Sequence, residues 1–97
     1  MDNMQSAAAR RAMVRLRIEG WAVGPSAAPD EWRREVRAEA RRAGVRIRTG
    51  VASLDGKLVP WAFALWAVED KRRELGGVEL DTLGLAAVRA ATWPEGD

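Results

Sequence analysis

Arg33, Arg37 and Arg41 recur at intervals of four, with Arg34 beside them, and Arg46 and Arg48 follow shortly after. A guanidinium stays charged at every relevant pH and can offer two N–H groups to one phosphate, so this pattern points to neutralisation of a polyanion. The chemistry is phosphate contact. Reading a base sequence would need further groups that reach base edges. Like charges four apart on a helix cost roughly 0.2–0.5 kcal/mol per pair, and Arg33–Arg37 and Arg37–Arg41 both incur that cost. Glu31–Arg34 and Glu39–Arg42 have the favourable spacing of three. A surface serving stability alone would interleave the signs more evenly. The competing explanation is a solvated helix face whose arginine stems cover apolar surface. Fourteen of the sixteen cationic residues are Arg and eighteen residues are Ala, a bias that a GC-rich coding sequence produces whatever the function.

Other chemistry is scarce in this chain. Without cysteine there is no disulfide framework and no thiolate metal site, and without histidine the commonest zinc ligand and general base are missing. Glu31, Glu35, Glu39, Glu69, Asp70 and Glu74 lie in charged surroundings with no spacing that marks a catalytic pair. No glycine pattern matches a phosphate-binding loop. These residues predict a protein that is not an enzyme and holds no cofactor or metal. Five tryptophans stand beside one Phe and no Tyr. Trp32, Trp61 and Trp66 are assigned to the core, whereas Trp21 and Trp93 are the candidates for contact with a protein partner or a second copy of the chain.

Ninety-seven residues suit one domain spanning 1–97, and 47% hydrophobic with 31% charged residues is a globular composition. Arg10, Arg11, Arg15 and Arg17 interrupt the first apolar stretches, and no segment approaches the length of a membrane span, so the expected location is the cytoplasm. Charge is uneven along the chain. Residues 1–50 carry eleven Arg against six acids, and residues 51–97 carry five Lys or Arg against eight. The acidic half is the alternative partner surface.

The elements that must position the arginines are read from periodicity and breakers. A helix is predicted over 5–19, with Ser6 as N-cap and Gly20 as stop, against a strand-like alternation of Val14, Leu16 and Ile18. Gly24, Pro25 and Pro29 mark a loop, and Asp30 is expected to cap a second helix with Trp32, Val36, Ala40 and Ala43 on its core stripe and Gly44 at its end. Asp55-Gly56 signals a hairpin pairing 45–51 with residues of 58–66, and Arg46 and Arg48 would extend the basic face toward the turn holding Lys57. A helix over 58–66 stays open, since Pro60 suits a first helical position and Gly76-Gly77 can end it. A short helix is predicted over 69–75. A final one is predicted over 82–91, capped by Asp81, with Leu83, Ala86, Ala87 and Ala90 as apolar contacts and Pro94 beyond. The run from Ala9 to Arg17 also parallels that from Ala40 to Arg48; an Arg- and Ala-rich chain produces such matches easily, and a duplicated helix–strand unit is the minority reading.

The stretch from Trp32 to Glu35 and from Arg41 to Gly50, followed by Trp61-Ala62 or Trp66-Ala67, resembles short proteins of actinobacteria and their phages; this resemblance implies no activity. The helix-then-basic-segment layout is also similar to the DNA-binding domain of nucleoid proteins that place Arg-Gly-Arg in the minor groove, but that tripeptide is absent. The expected fold is α+β, in the order α–α–β–β–α, with helices against one face of a two-stranded hairpin. The expected function is nucleic-acid binding through Arg33, Arg34, Arg37, Arg41, Arg46 and Arg48. A protein-interaction module or homodimer using Trp21 and Trp93 is the alternative.

Overall fold

The chain runs α1 (Asn3–Ile18), β1 (Trp21–Val23), α2 (Pro29–Ala43), β2 (Ile47–Leu54), β3 (Lys57–Ala64), α3 (Leu65–Glu74) and α4 (Leu80–Thr92). This is a computed structural model, and it describes the backbone of residues 3–92 and the side chains of 7–91. The fold is α+β. At its centre Asp55 and Gly56 both take positive φ, 54° and 77°, as a two-residue turn must if it is to follow the twist of its strands. Leu54 lies opposite Lys57 and Ile47 opposite Ala64. The predicted hairpin is present, and β1 pairs antiparallel with the other side of β3, giving the order β1-β3-β2.

A proline in the middle strand of a sheet would normally break a ladder bond. Pro60 escapes this through register. Its carbonyl accepts from the Gly24 N–H at 2.9 Å on the β1 side, so its own nitrogen, which lacks a proton, faces that side too, where β1 has already ended at Val23. Pairing with β2 loses nothing.

Alternation along β3 divides the core into two. Ala62 and Ala64 join Ala22 under α1 and α2, packing with Ala9, Ala12, Met13, Leu16, Trp32, Val36 and Ala40. Trp61 and Phe63 face the other way, with Ala52 and with Leu83, Ala87 and Val88 of α4. Helices therefore cover both faces of the sheet, not one face of a hairpin as expected. Two strands could not have used two apolar faces of this size; the third strand widens the sheet enough to do so.

Local readings of the sequence meet mixed outcomes. The buried positions 9, 12, 13 and 16 are one helical stripe, which settles 14–18 as helix and leaves Val14 and Ile18 exposed. Ser6 falls inside α1 and does not precede it. Asp30 is in the first turn of α2, behind Pro29, and the N-cap position is Ala28, which makes no side-chain cap. Asp81 likewise sits within the first turn of α4. Both carboxylates still oppose the positive end of a helix dipole.

Gly44 ends α2 as predicted. With φ at 73° it lets Val45 N–H reach the Ala40 carbonyl at 2.9 Å and its own N–H reach that of Arg41. This paired closure turns the chain away so early that Ala43 is exposed, not on the core stripe. The duplicated-unit reading fails here too. Residues 9–17 lie wholly within α1, whereas 40–48 cross from α2 through Gly44 into β2.

The largest local correction concerns 58–66. The strand stops at Ala64 and α3 begins at Leu65, four residues earlier than the helix predicted over 69–75. Ala67 alone of α3 is fully buried, and Trp66, assigned to the core, is 57% exposed. On α4 the buried set is Leu83, Gly84, Ala87 and Val88, while Ala86 and Ala90 are exposed. The stripe is rotated from the predicted one because Gly84 must face Trp61. Pro94 lies outside the described residues.

A candidate nucleic-acid interface

The basic stripe of α2 is split by how the helix lies on the sheet. At 100° per residue Arg33 stands closest to the core stripe of Trp32, Val36 and Ala40, with Arg37 and Arg41 progressively further round and Glu39 and Glu35 on the opposite flank. Arg33 is drawn into the fold. Its Nε donates to Thr49 Oγ1 at 3.3 Å and its Nη2 to the Thr49 carbonyl at 3.2 Å, and Thr49 Oγ1 in turn donates to the Trp61 carbonyl at 2.6 Å. Because β2 is an edge strand, the Thr49 carbonyl has no neighbouring strand to donate to it, and Arg33 covers the open edge. Exposed Asp30 lies 3.8 Å away.

An Arg33→Met chain keeps the apolar stem but loses both hydrogen bonds. It is expected to be less stable by about 1–2 kcal/mol, in line with loss of charge-assisted bonds at a partly buried site, while nucleic-acid affinity at low salt changes less than about threefold. Urea unfolding and a binding titration on the same preparation check this. A large loss of affinity with unchanged stability would return Arg33 to the contact surface.

Arg37, Arg41, Arg46 and Arg48 border one groove, with Arg48 in register with Phe63 on the sheet face away from α2. They line an open groove of about 540 Å³ with Ala40, Gly44, Val45, Ile47 and Leu65, where the C-terminal half of α2 meets the chain entering β2. The Gly44 closure builds this groove, since it folds the basic segment 45–48 back beside the last turns of α2. No carboxylate lines it. None of the four arginines forms an ion pair among the described residues, in contrast to Arg15 with Glu19, Arg42 with Glu39 and Arg73 with Asp70.

The other predicted residues are placed differently. Arg34 is exposed on the outer face of α2, one turn before Arg37 and outside the groove. Lys57 starts β3, at the far end of β2 from Arg46 and Arg48, so the stripe does not extend to the turn. Trp21 is half-buried in β1, with the Arg15 guanidinium 4.3 Å above its ring centre. Trp93 lies outside the described residues.

Sequence reasoning missed the placement of Leu65 and Trp66 at this site. Ala64 N–H donates to the Gly20 carbonyl and Leu65 N–H to the Arg46 carbonyl, at 2.9 and 3.0 Å. These bonds set Gly20, the start of α3 and Arg46 side by side across one end of the sheet. Leu65 lines the groove, and the Trp66 ring rests against Gly20, close enough that a Cβ there would lie 3.3 Å from Cη2. No spacing along 58–66 signalled this, because the exposure of Trp66 depends on the strand ending at Ala64.

Among the described residues no cluster of acidic side chains could hold a metal ion, and no helix is long and apolar enough to cross a membrane. No protein-family model, curated protein or solved structure matches the chain.

Proposed function

We propose that the chain is a non-enzymatic, cytoplasmic accessory or regulatory protein that binds nucleic acid by its phosphates in the groove of Arg37, Arg41, Arg46 and Arg48. The observation that carries this reading is a single groove bordered by four arginines, without a carboxylate lining it or paired to any of them among the described residues. Four like charges bordering one groove favour the entry of an anion, the more so at low salt. A planar guanidinium can engage two oxygens of one phosphate, so arginines from α2 and from the chain entering β2 suit the successive phosphates of one strand.

Binding of the purified protein to labelled oligonucleotides across a salt series tests the reading. Four phosphate contacts correspond to a slope of log K against log salt of about −3 to −4, by the counterion-release relation. Failure to bind any nucleic acid at low salt would make the groove an ordinary solvated surface and remove the proposal.

A further inference from the structure

The surface around the groove selects between the forms of nucleic acid, and we infer that the ligand is a single strand whose phosphates follow the arginine groove while one base stacks on Trp66. This inference rests on the proposed binding reading. It adds a contact of a different kind, apolar and aromatic, for which exposed Trp66 is the independent observation.

An indole with more than half its surface in water is unusual for so large an apolar side chain. The position of this one is held. Its ring lies against Gly20, and the backbone at the start of α3 is tied to both neighbours by the Ala64–Gly20 and Leu65–Arg46 hydrogen bonds. A platform fixed before binding loses little side-chain freedom when a base lands on it. Leu65, next to Trp66 in the chain, lines the groove and supplies apolar surface for the sugar that connects base and phosphate.

Charge sets the direction of the strand's backbone. Glu69 and Asp70, three and four residues beyond Trp66, share its side of α3 and are exposed. They repel phosphate on the far side of the indole, while the four arginines attract it on the near side. Phosphates therefore stay in the groove and only a base crosses to Trp66. A duplex keeps its bases stacked on one another and offers an indole no free face, whereas every base of an unpaired strand has one.

The test compares an oligodeoxythymidylate of about 15 nucleotides, within the span single-strand binders cover, with a duplex of equal length, in low salt, by fluorescence anisotropy. The intact chain is measured beside Trp66→Leu, which keeps apolar cover over Gly20 without a π face, and Trp66→Phe, which restores a ring. Thermal melts establish that each variant is folded. Single-strand affinity is expected to exceed duplex affinity about tenfold, to fall about tenfold in Trp66→Leu and to recover in Trp66→Phe, in keeping with the effect of one stacked base. Equal binding of both forms with Trp66→Leu unchanged would overturn the single-strand inference and leave the phosphate groove standing. Absence of binding to either form would overturn both.

Discussion

Gly84→Ala is expected to lower the melting temperature by about 10 °C, although alanine is intrinsically the better helix former by roughly 1 kcal/mol. Gly84 lies in the middle of α4 and is buried against Trp61, which is itself 1% exposed. A Cβ at this position would come within 3.0 Å of the indole, and Gly50 presses on the same ring from β2, so the ring cannot move aside. Overpacking of this kind costs typically 1–3 kcal/mol and more where neighbours are fixed; the net expected loss is about 2 kcal/mol. The buried indole Nε1–H finds no hydrogen-bond acceptor among the described residues. A Trp61→Leu background reverses the sign. With the indole gone, the added methyl fills space, and Gly84→Ala is expected to stabilise by up to about 1 kcal/mol. Denaturant unfolding of the four chains in a double-mutant cycle measures the coupling. Additive effects would mean that the tight seat of Trp61 on α4 does not set the stability.

Reversing Arg37 and Arg41 together to Glu is expected to weaken nucleic-acid binding on the order of a hundredfold near 0.1 M salt and to flatten the salt dependence by about two units of slope. Both residues are exposed and line the groove from α2. Each lost phosphate contact removes one release of condensed counterions, and each new carboxylate repels the phosphates that Arg46 and Arg48 still hold. The fold is expected to survive the change. Thermal melting establishes this, because neither side chain forms an ion pair among the described residues. Arg34→Glu is the informative comparison. It makes a similar change on the same helix outside the groove, so its effect is expected to stay within about fivefold, as for a single outlying charge. A loss from Arg34→Glu of about tenfold, half that of the double reversal on a logarithmic scale, would mean that overall charge, not the groove, governs binding.

Much of the fold is legible because its signals are local. Asp55-Gly56 can close a two-residue hairpin whatever surrounds it, Gly44 ends a helix by a backbone conformation open to few residues, and Pro29 opens one for lack of an N–H. The site is only partly legible for the same reason. Arg37, Arg41, Arg46 and Arg48 stand close to one glycine stop in the chain, so their place along one groove follows from a local turn. Arg33 belongs to the same sequence pattern, yet its partner is Thr49, which reaches it only because β2 is the open edge of a three-stranded sheet.

Residues 9–17 and 40–48 separate what the sequence determined from what tertiary structure decided. The two runs match in the alternation of Arg with apolar residues, and one position, Met13 against Gly44, assigns the first to a continuous helix and the second to a helix, a stop and a strand. That much is a property of the chain, since a left-handed residue without Cβ costs nothing at a helix end and a methionine there costs about 1–2 kcal/mol. Composition and breakers likewise determined an α+β chain with a basic helix and a hairpin. Tertiary structure decided that Trp21–Val23 became a strand, that both faces of the sheet were covered, and that Trp66 was left in water beside the arginines. Each of these depends on long-range pairing with β3: its odd residues seat α4, its even residues seat α1 and α2, and its end at Ala64 turns the next two side chains outward. Such burial depends on which surfaces meet in space, and the spacing of residues along one segment does not carry that information.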